Sequence, residues 1–172
     1  MLVAEERRVC STRQTGRDGR GLDADRGGDQ RRQWLRQAAW AGHIPAMYLA
    51  AIESNDPDEK RHWLREAAYE GYLPAMYDFA IHCGHAGLRR SWLRMAAEQG
   101  HVRAMHLLGT ESTDAAERRR WLRKAAEDGY VPAMYDLAMT CEDCRERGLW
   151  LSEAARNGSE AALAELAEAE CC

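Results

Sequence analysis

The side chains best suited to chemistry are six cysteines: Cys10, Cys83, Cys141, Cys144, Cys171 and Cys172, in a chain of 172 residues. Cys141-x-x-Cys144 closes one segment and Cys171-Cys172 the next, so stacked segments would bring four thiolates together. Four is the number that a tetrahedral Zn²⁺ takes. Two facts oppose that reading. Vicinal cysteines seat poorly on one ion, and the last residues of a chain fray. Cys144 follows Asp143, a helix-capping residue; the helix N-terminus lowers a thiol pKa while the Asp charge opposes the shift. His82 and His85 flank Cys83, a cluster of three that more often lies on a surface than on a metal. No Ser-His-Asp order, phosphate-binding loop or metalloprotease helix is present, and no nucleophile stands at a fixed spacing from a base. A zinc or thiol site at Cys141, Cys144, Cys171 and Cys172 is therefore the lesser reading. No catalytic residue, metal or cofactor is expected.

The elements that position these residues are set by a repeat. Trp-Leu pairs begin at Trp34, Trp63, Trp92, Trp121 and Trp150, each 29 residues after the last (63 minus 34, and likewise onward). A fixed period in this range signals a stacked architecture. Counting each Trp as position 1, the first four copies share W-L-R-x-A-A-x-x-G-x-x-x-A-M, and the fifth has Ser152 and Leu163 in place of the Arg and Met. Trp, Leu and the two alanines at positions 5 and 6 share one helical face. The glycines Gly42, Gly71, Gly100, Gly129 and Gly158 end that helix. Asp56-Pro57-Asp58-Glu59 supplies an N-cap, a first-turn proline and an acid at the third position, and Asp114 to Glu117 and Asp143 to Glu146 repeat the D-x-x-E box. "HCGHAGLRR" lacks such a cap, so its helix start is the least marked. After each Gly a shorter helix follows, as in "GYVPAMYDLAMT". The expected fold is all-α: an α-solenoid of stacked antiparallel helix pairs in which neighbours bury what no pair covers alone.

The string "WLRKAAEDG…PAMYDLA" resembles the Sel-1-like repeat, a relative of the tetratricopeptide repeat. The resemblance covers about residues 29 to 172, with four full units and a C-terminal capping unit from Trp150. One departure stands out. The stretch between the short helix and the next long one is cut to about "CEDCRE" or "ESTDAA", without the family's Gly-x-Gly turn. The resemblance implies that the short helices line a concave surface used to bind a peptide or protein. On that surface positions 15, 16 and 19 should face outward. The candidate strip is Tyr48, Leu49, Tyr77, Asp78, His106, Leu107, Tyr135 and Asp136, extended by Ile52, Ile81, Thr110 and Met139. Tyrosine offers large contact area at low entropic cost. Half of the strip could equally pack neighbouring repeats, and His106 with the two aspartates is the better source of specificity.

Odd and even units also differ in a matched way. Position 10 reads His43, Tyr72, His101, Tyr130; position 16 reads Leu49, Asp78, Leu107, Asp136; position 21 reads Ser54, Cys83, Ser112, Cys141. Duplication of a two-unit block and coincidence both account for this. Arg36, Arg65, Arg94 and Arg123 recur on the long helices, and a solvated face interleaved with glutamate is favoured over an anion site.

A non-enzymatic interaction module, or adaptor, follows as the leading function. The alternatives are an enzyme resembling the cysteine-rich, β-lactam-processing branch of the family, whose one-pair-per-unit cysteine pattern this chain lacks, and a thiol- or zinc-dependent sensor. Residues 1–28, rich in Arg, Asp and Gly, read as a disordered tail. The first long helix, around residues 29–41, has no short helix before it and carries the extra Trp40, so that end should expose apolar surface. The tail's Leu2, Val3 and Val9, a partner, or a second copy in a homodimer could cover it. Net charge is −4, which gives no nucleic-acid footprint, and no apolar run is long enough to span a membrane. The start has no secretory h-region, so a cytoplasmic setting with reduced thiols is expected. The scarcity of Lys beside abundant Arg suggests a GC-rich, bacterial genome.

Overall fold

The computed structural model describes the backbone of residues 23–169 and side chains of residues 28–168. Among the described residues there are ten helices and no strands. The first two pairs are α1 (Asp23–Trp40) with α2 (Ile44–Glu53) and α3 (Pro57–Tyr69) with α4 (Leu73–His82). The next two are α5 (Ala86–Glu98) with α6 (Val102–Glu111) and α7 (Ala115–Glu127) with α8 (Val131–Thr140). The last is α9 (Cys144–Arg156) with α10 (Glu160–Ala169). Each helix packs on the next in sequence, as short connections require. The first helix begins before the boundary set at residue 28. Once the Trp34 segment is helical, each further residue gains a backbone hydrogen bond without a new nucleation cost, so the helix extends back to Asp23. The rest of the tail, with Leu2, Val3, Val9 and Cys10, lies outside the described residues, as do Cys171 and Cys172.

The turn after each long helix is specified by its glycine. Gly71 has φ 82° and stands just past the C-cap of α3. Its N–H bonds to Ala68 O at 3.1 Å, and the Tyr72 N–H bonds to Ala67 O at 3.0 Å. This is a Schellman closure. The paired alanines thus serve twice: their methyls are buried and their carbonyls accept the closing bonds.

Long-helix starts follow the capping residues. The Asp56, Asp114 and Asp143 carboxylates accept from the N–H groups of Asp58, Ala116 and Arg145. His85, at the start of α5, makes no such side-chain bond. The acid at the third helical position does not close a reciprocal box, because Ser54 and the preceding repeat offer better partners. Glu59 accepts from Ser54 Oγ at 2.6 Å and from Arg36 Nε and Nη2 at 2.5 and 2.6 Å. Glu117 accepts from Ser112 Oγ, Arg90 and Arg94, and Glu146 pairs with Arg123. The arginines that looked merely solvated are therefore half-exposed rungs tying each repeat to the next. The series has one gap. Leu88 stands where a glutamate would meet Arg65, and Arg65 turns to Glu66 on its own helix.

The core is one continuous spine of Trp, Leu, Ala and Met. Trp63, Trp92 and Trp121 are 3%, 8% and 4% exposed. Trp92 illustrates the junction: Tyr69 and Phe79 of the preceding pair meet it edge-on, with centroids at 5.2 and 5.5 Å. Trp34 has no preceding pair and is 64% exposed, and Trp40 is 74% exposed even with its edge against Trp63.

Candidate partner-binding face

Three of the four residues at position 15, Tyr48, Tyr77 and His106, reach across a repeat junction. The Tyr48 hydroxyl donates to Asp78 Oδ2 at 2.9 Å, and the Tyr48 ring lies 5.2 Å from that of Tyr72. Burial and the bond to Asp78 raise the Tyr48 pKa to about 12. Two repeats on, His106 Nε2 lies 2.7 Å from Asp136 Oδ2, and its ring is 5.2 Å from Tyr130. The intervening junction is different. Tyr77 stacks on His101 at 4.6 Å, and Leu107 stands where an aspartate would be. His101 Nδ1 accepts from the Ala104 N–H at 3.2 Å, as His43 Nδ1 does from Ala46. Burial lowers the His101 pKa, which suits this accepting, neutral imidazole.

This arrangement explains the matched alternation. Tyr at position 10 and Asp at position 16 of one unit jointly clamp the position-15 residue of the unit before. Where position 10 is His, it caps its own helix, and no acid follows. His106, Asp78 and Asp136, the residues favoured for specificity, are engaged within the chain. All of Tyr48, Tyr77, Asp78, His106, Leu107, Tyr135 and Asp136 are half-buried. The outward contribution comes from elsewhere on the same helical face. Leu49, Ile52, Ile81 and Met139 are 40%, 48%, 39% and 40% exposed. Ile52 lies one turn beyond Tyr48, and Ile81 and Met139 hold the same place beyond Tyr77 and Tyr135. Exposed apolar residues ride on a floor fixed by hydrogen bonds and stacked rings.

The cysteines are placed differently. Cys141 is 2% exposed, and burial pushes its thiol pKa up, which suits a small apolar core residue better than a thiolate. Cys144 is exposed at the start of α9. Among the described residues no three or more His, Cys, Asp or Glu side chains are grouped to hold a metal ion. Cys83 lies with His82 and His85 along a cavity of about 600 Å³ that Arg61, Arg65 and Leu88 also line, beside the missing rung.

The sequence matches no family model, and no curated protein matches it. Solved structures do. A protective antigen from uropathogenic Escherichia coli displaying an SLR fold superposes with a TM-score of 0.72 over 80% of this chain at 23% identity. The chain has the Sel1-like repeat fold. A Sel1 repeat protein from Oxalobacter formigenes superposes at 0.68 over 76% with 23% identity, and an immunity protein from Pseudomonas aeruginosa at 0.56 over 81% with 24% identity. The chain spans 35%, 63% and 60% of those three chains' lengths. No helix among the described residues is long and apolar enough to cross a membrane.

Proposed function

We propose that this Sel1-like repeat chain is a non-enzymatic interaction module, and that a peptide or protein partner docks along the groove face of its short helices. The observation that carries the reading is the row Ile52, Ile81 and Met139, exposed above a locked floor. A floor already tied across each junction loses little conformational entropy when a ligand binds. Exposed aliphatics then gain by burial at about 25 cal/mol per Å². Partner choice rests on the alternation of acidic and apolar junctions, since Asp78 and Asp136 keep lone pairs open to a donor on the ligand. Neighbours with this fold include a protective antigen and an immunity protein, so the fold serves more than one purpose.

The test is affinity capture by the wild-type chain and by an Ile52→Asp/Ile81→Asp/Met139→Asp variant. These three side chains are exposed, so the variant keeps its helical content and melting behaviour. It loses a partner that the wild type retains. Equal recovery of the same partners by both proteins contradicts the reading.

A further inference from the structure

One internal junction has lost its acids and kept its bases. The segment joining a short helix to the next long one reads "ESNDPDE" at 53–59, "ESTDAAE" at 111–117 and "TCEDCRE" at 140–146, with four, three and three acids. At 82–88 it reads "HCGHAGL", with none. Each loss falls on a place that has a job elsewhere. His82 stands where Glu53 and Glu111 pair with Arg31 and Arg89. His85 stands where Asp56, Asp114 and Asp143 cap their helices, and it makes no such bond. Leu88 stands where Glu59, Glu117 and Glu146 receive the rungs. The bases that face these places remain as Lys60, Arg61 and Arg65.

The next junction shows what belongs there. Glu117 accepts from Arg90 and Arg94, each at 2.7 Å, and from Ser112 at 2.9 Å, so one carboxylate answers both guanidinium groups. Arg61 and Arg65 hold the places of Arg90 and Arg94 one repeat earlier. Between them and Phe79, His82, His85 and Leu88 lies a cavity of about 600 Å³. A second cavity, of about 230 Å³, shares Arg61 and His82 and adds Lys60, which has no ion-pair partner among the described residues. The two arginines do have partners, Asp58 at 3.1 Å and Glu66 at 3.1 Å, but both pairs lie within α3. The Asp58 and Glu66 side chains are 85% and 42% exposed, and pairs so placed contribute little. They occupy one donor of Arg61 and two of Arg65, from the five that each guanidinium has. The uncapped start of α5 adds N–H groups that favour negative charge.

We propose that this junction is a second binding site, and that its ligand is an acidic peptide segment of a partner protein. One ligand carboxylate takes the place that Glu117 holds at the next junction and bonds Arg61 and Arg65. A second acid of the segment meets Lys60 in the adjoining cavity. At every other junction the group in this place is a side-chain carboxylate carried on a peptide, which is the chemistry the ligand reproduces. The two cavities are far larger than one inorganic anion, and their apolar wall, half-buried Phe79 and exposed Leu88, suits an aliphatic residue beside the acid. The site uses none of Ile52, Ile81 and Met139, so it stands or falls apart from the groove reading.

The test titrates the full chain with a blocked synthetic peptide, Glu-Glu-Leu-Glu, and follows the arginine Nε–Hε NMR signals. Those of Arg61 and Arg65 should shift together and saturate, and added salt should weaken the binding. Arg61→Gln/Arg65→Gln should weaken it about tenfold or more by removing the charged donors. Leu88→Glu should do the same by supplying the acid from within. That variant keeps or gains stability, so its loss of binding does not come from misfolding. Met139→Asp, on the short-helix groove, should bind the peptide as the wild type does. Four results overturn the proposal: no saturable shift, equal binding of a peptide with glutamine for glutamate, full binding by Leu88→Glu, or loss of binding in Met139→Asp. Inorganic phosphate bound as tightly as the peptide also overturns it and marks a small-oxyanion site instead.

Discussion

Replacing Glu59 with glutamine removes the anchor of the first inter-repeat rung. Hydrogen bonds from Arg36, reinforced by Ser54, hold the Glu59 carboxyl near a pKa of about 2 against an ordinary 4.5. A shift of this size corresponds to about 3 kcal/mol gross at about 1.4 kcal/mol per unit. The Glu59 side chain is 21% and the Arg36 side chain 48% exposed, so water screens the pair. The net effect is then about 1–2 kcal/mol. Because the folded pKa is depressed, this stability is present in full above the unfolded value of 4.5 and is lost as the pH falls toward 2. Glu59→Gln should therefore be less stable than wild type by about 1–2 kcal/mol near neutrality, and the difference should shrink by more than half by about pH 3. Denaturant unfolding followed by fluorescence of the buried Trp63, Trp92 and Trp121 reads both numbers. A gap that stays constant over that pH range, or no gap at neutrality, refutes the assignment of Glu59 as a charged structural anchor.

Three further perturbations probe the spine. Trp121→Ala empties a 4%-exposed site and should cost about 3–5 kcal/mol, whereas Trp34→Ala, at 64% exposure, should cost under about 1 kcal/mol; equal losses in thermal or chemical melts would contradict the repeat register. A Cβ at Gly109 would lie 2.8 Å from Leu122 Cγ and 3.3 Å from the Leu122 backbone N, so Gly109→Ala should destabilise by about 1 kcal/mol, overpacking outweighing the helix-propensity gain. A neutral or stabilised variant in denaturant titration shows that α6 and α7 separate freely. Leu88→Glu should restore the missing rung to Arg65 and place an acid in the first turn of α5, raising stability by about 0.3–1 kcal/mol, an increment that high salt should reduce.

Much of the fold was legible because its signals are local and repeated. The Trp-Leu register, the glycine after the paired alanines and the aspartate caps each act within one turn, and the structure places all of them as the residue types require. The first helix was longer than its apolar pattern because helix propagation needs no apolar partner. The rungs were not legible in the same way. Arg36 and Glu59 are 23 residues apart and lie on different long helices, and nothing in a helix-face reading distinguishes a glutamate that bonds its own cap from one that bonds the preceding repeat. The short-helix face was half legible. The alternation of His with Leu and Tyr with Asp was visible as a pattern. Its cause, a clamp from one unit onto the position-15 residue of the last, is a contact between repeats that spacing alone does not reveal. For the same reason the contact between His106 and Asp136 is not legible from spacing.

The most direct test of the proposed interaction face is site-specific photo-crosslinking in the native cell, with the probe placed in turn at Ile81 and Met139 on the short helices and at Glu127 on a long one. One shared protein adduct is expected from Ile81 and Met139 and none of it from Glu127. The same adduct from Glu127, with nothing from Ile81 or Met139, would contradict it.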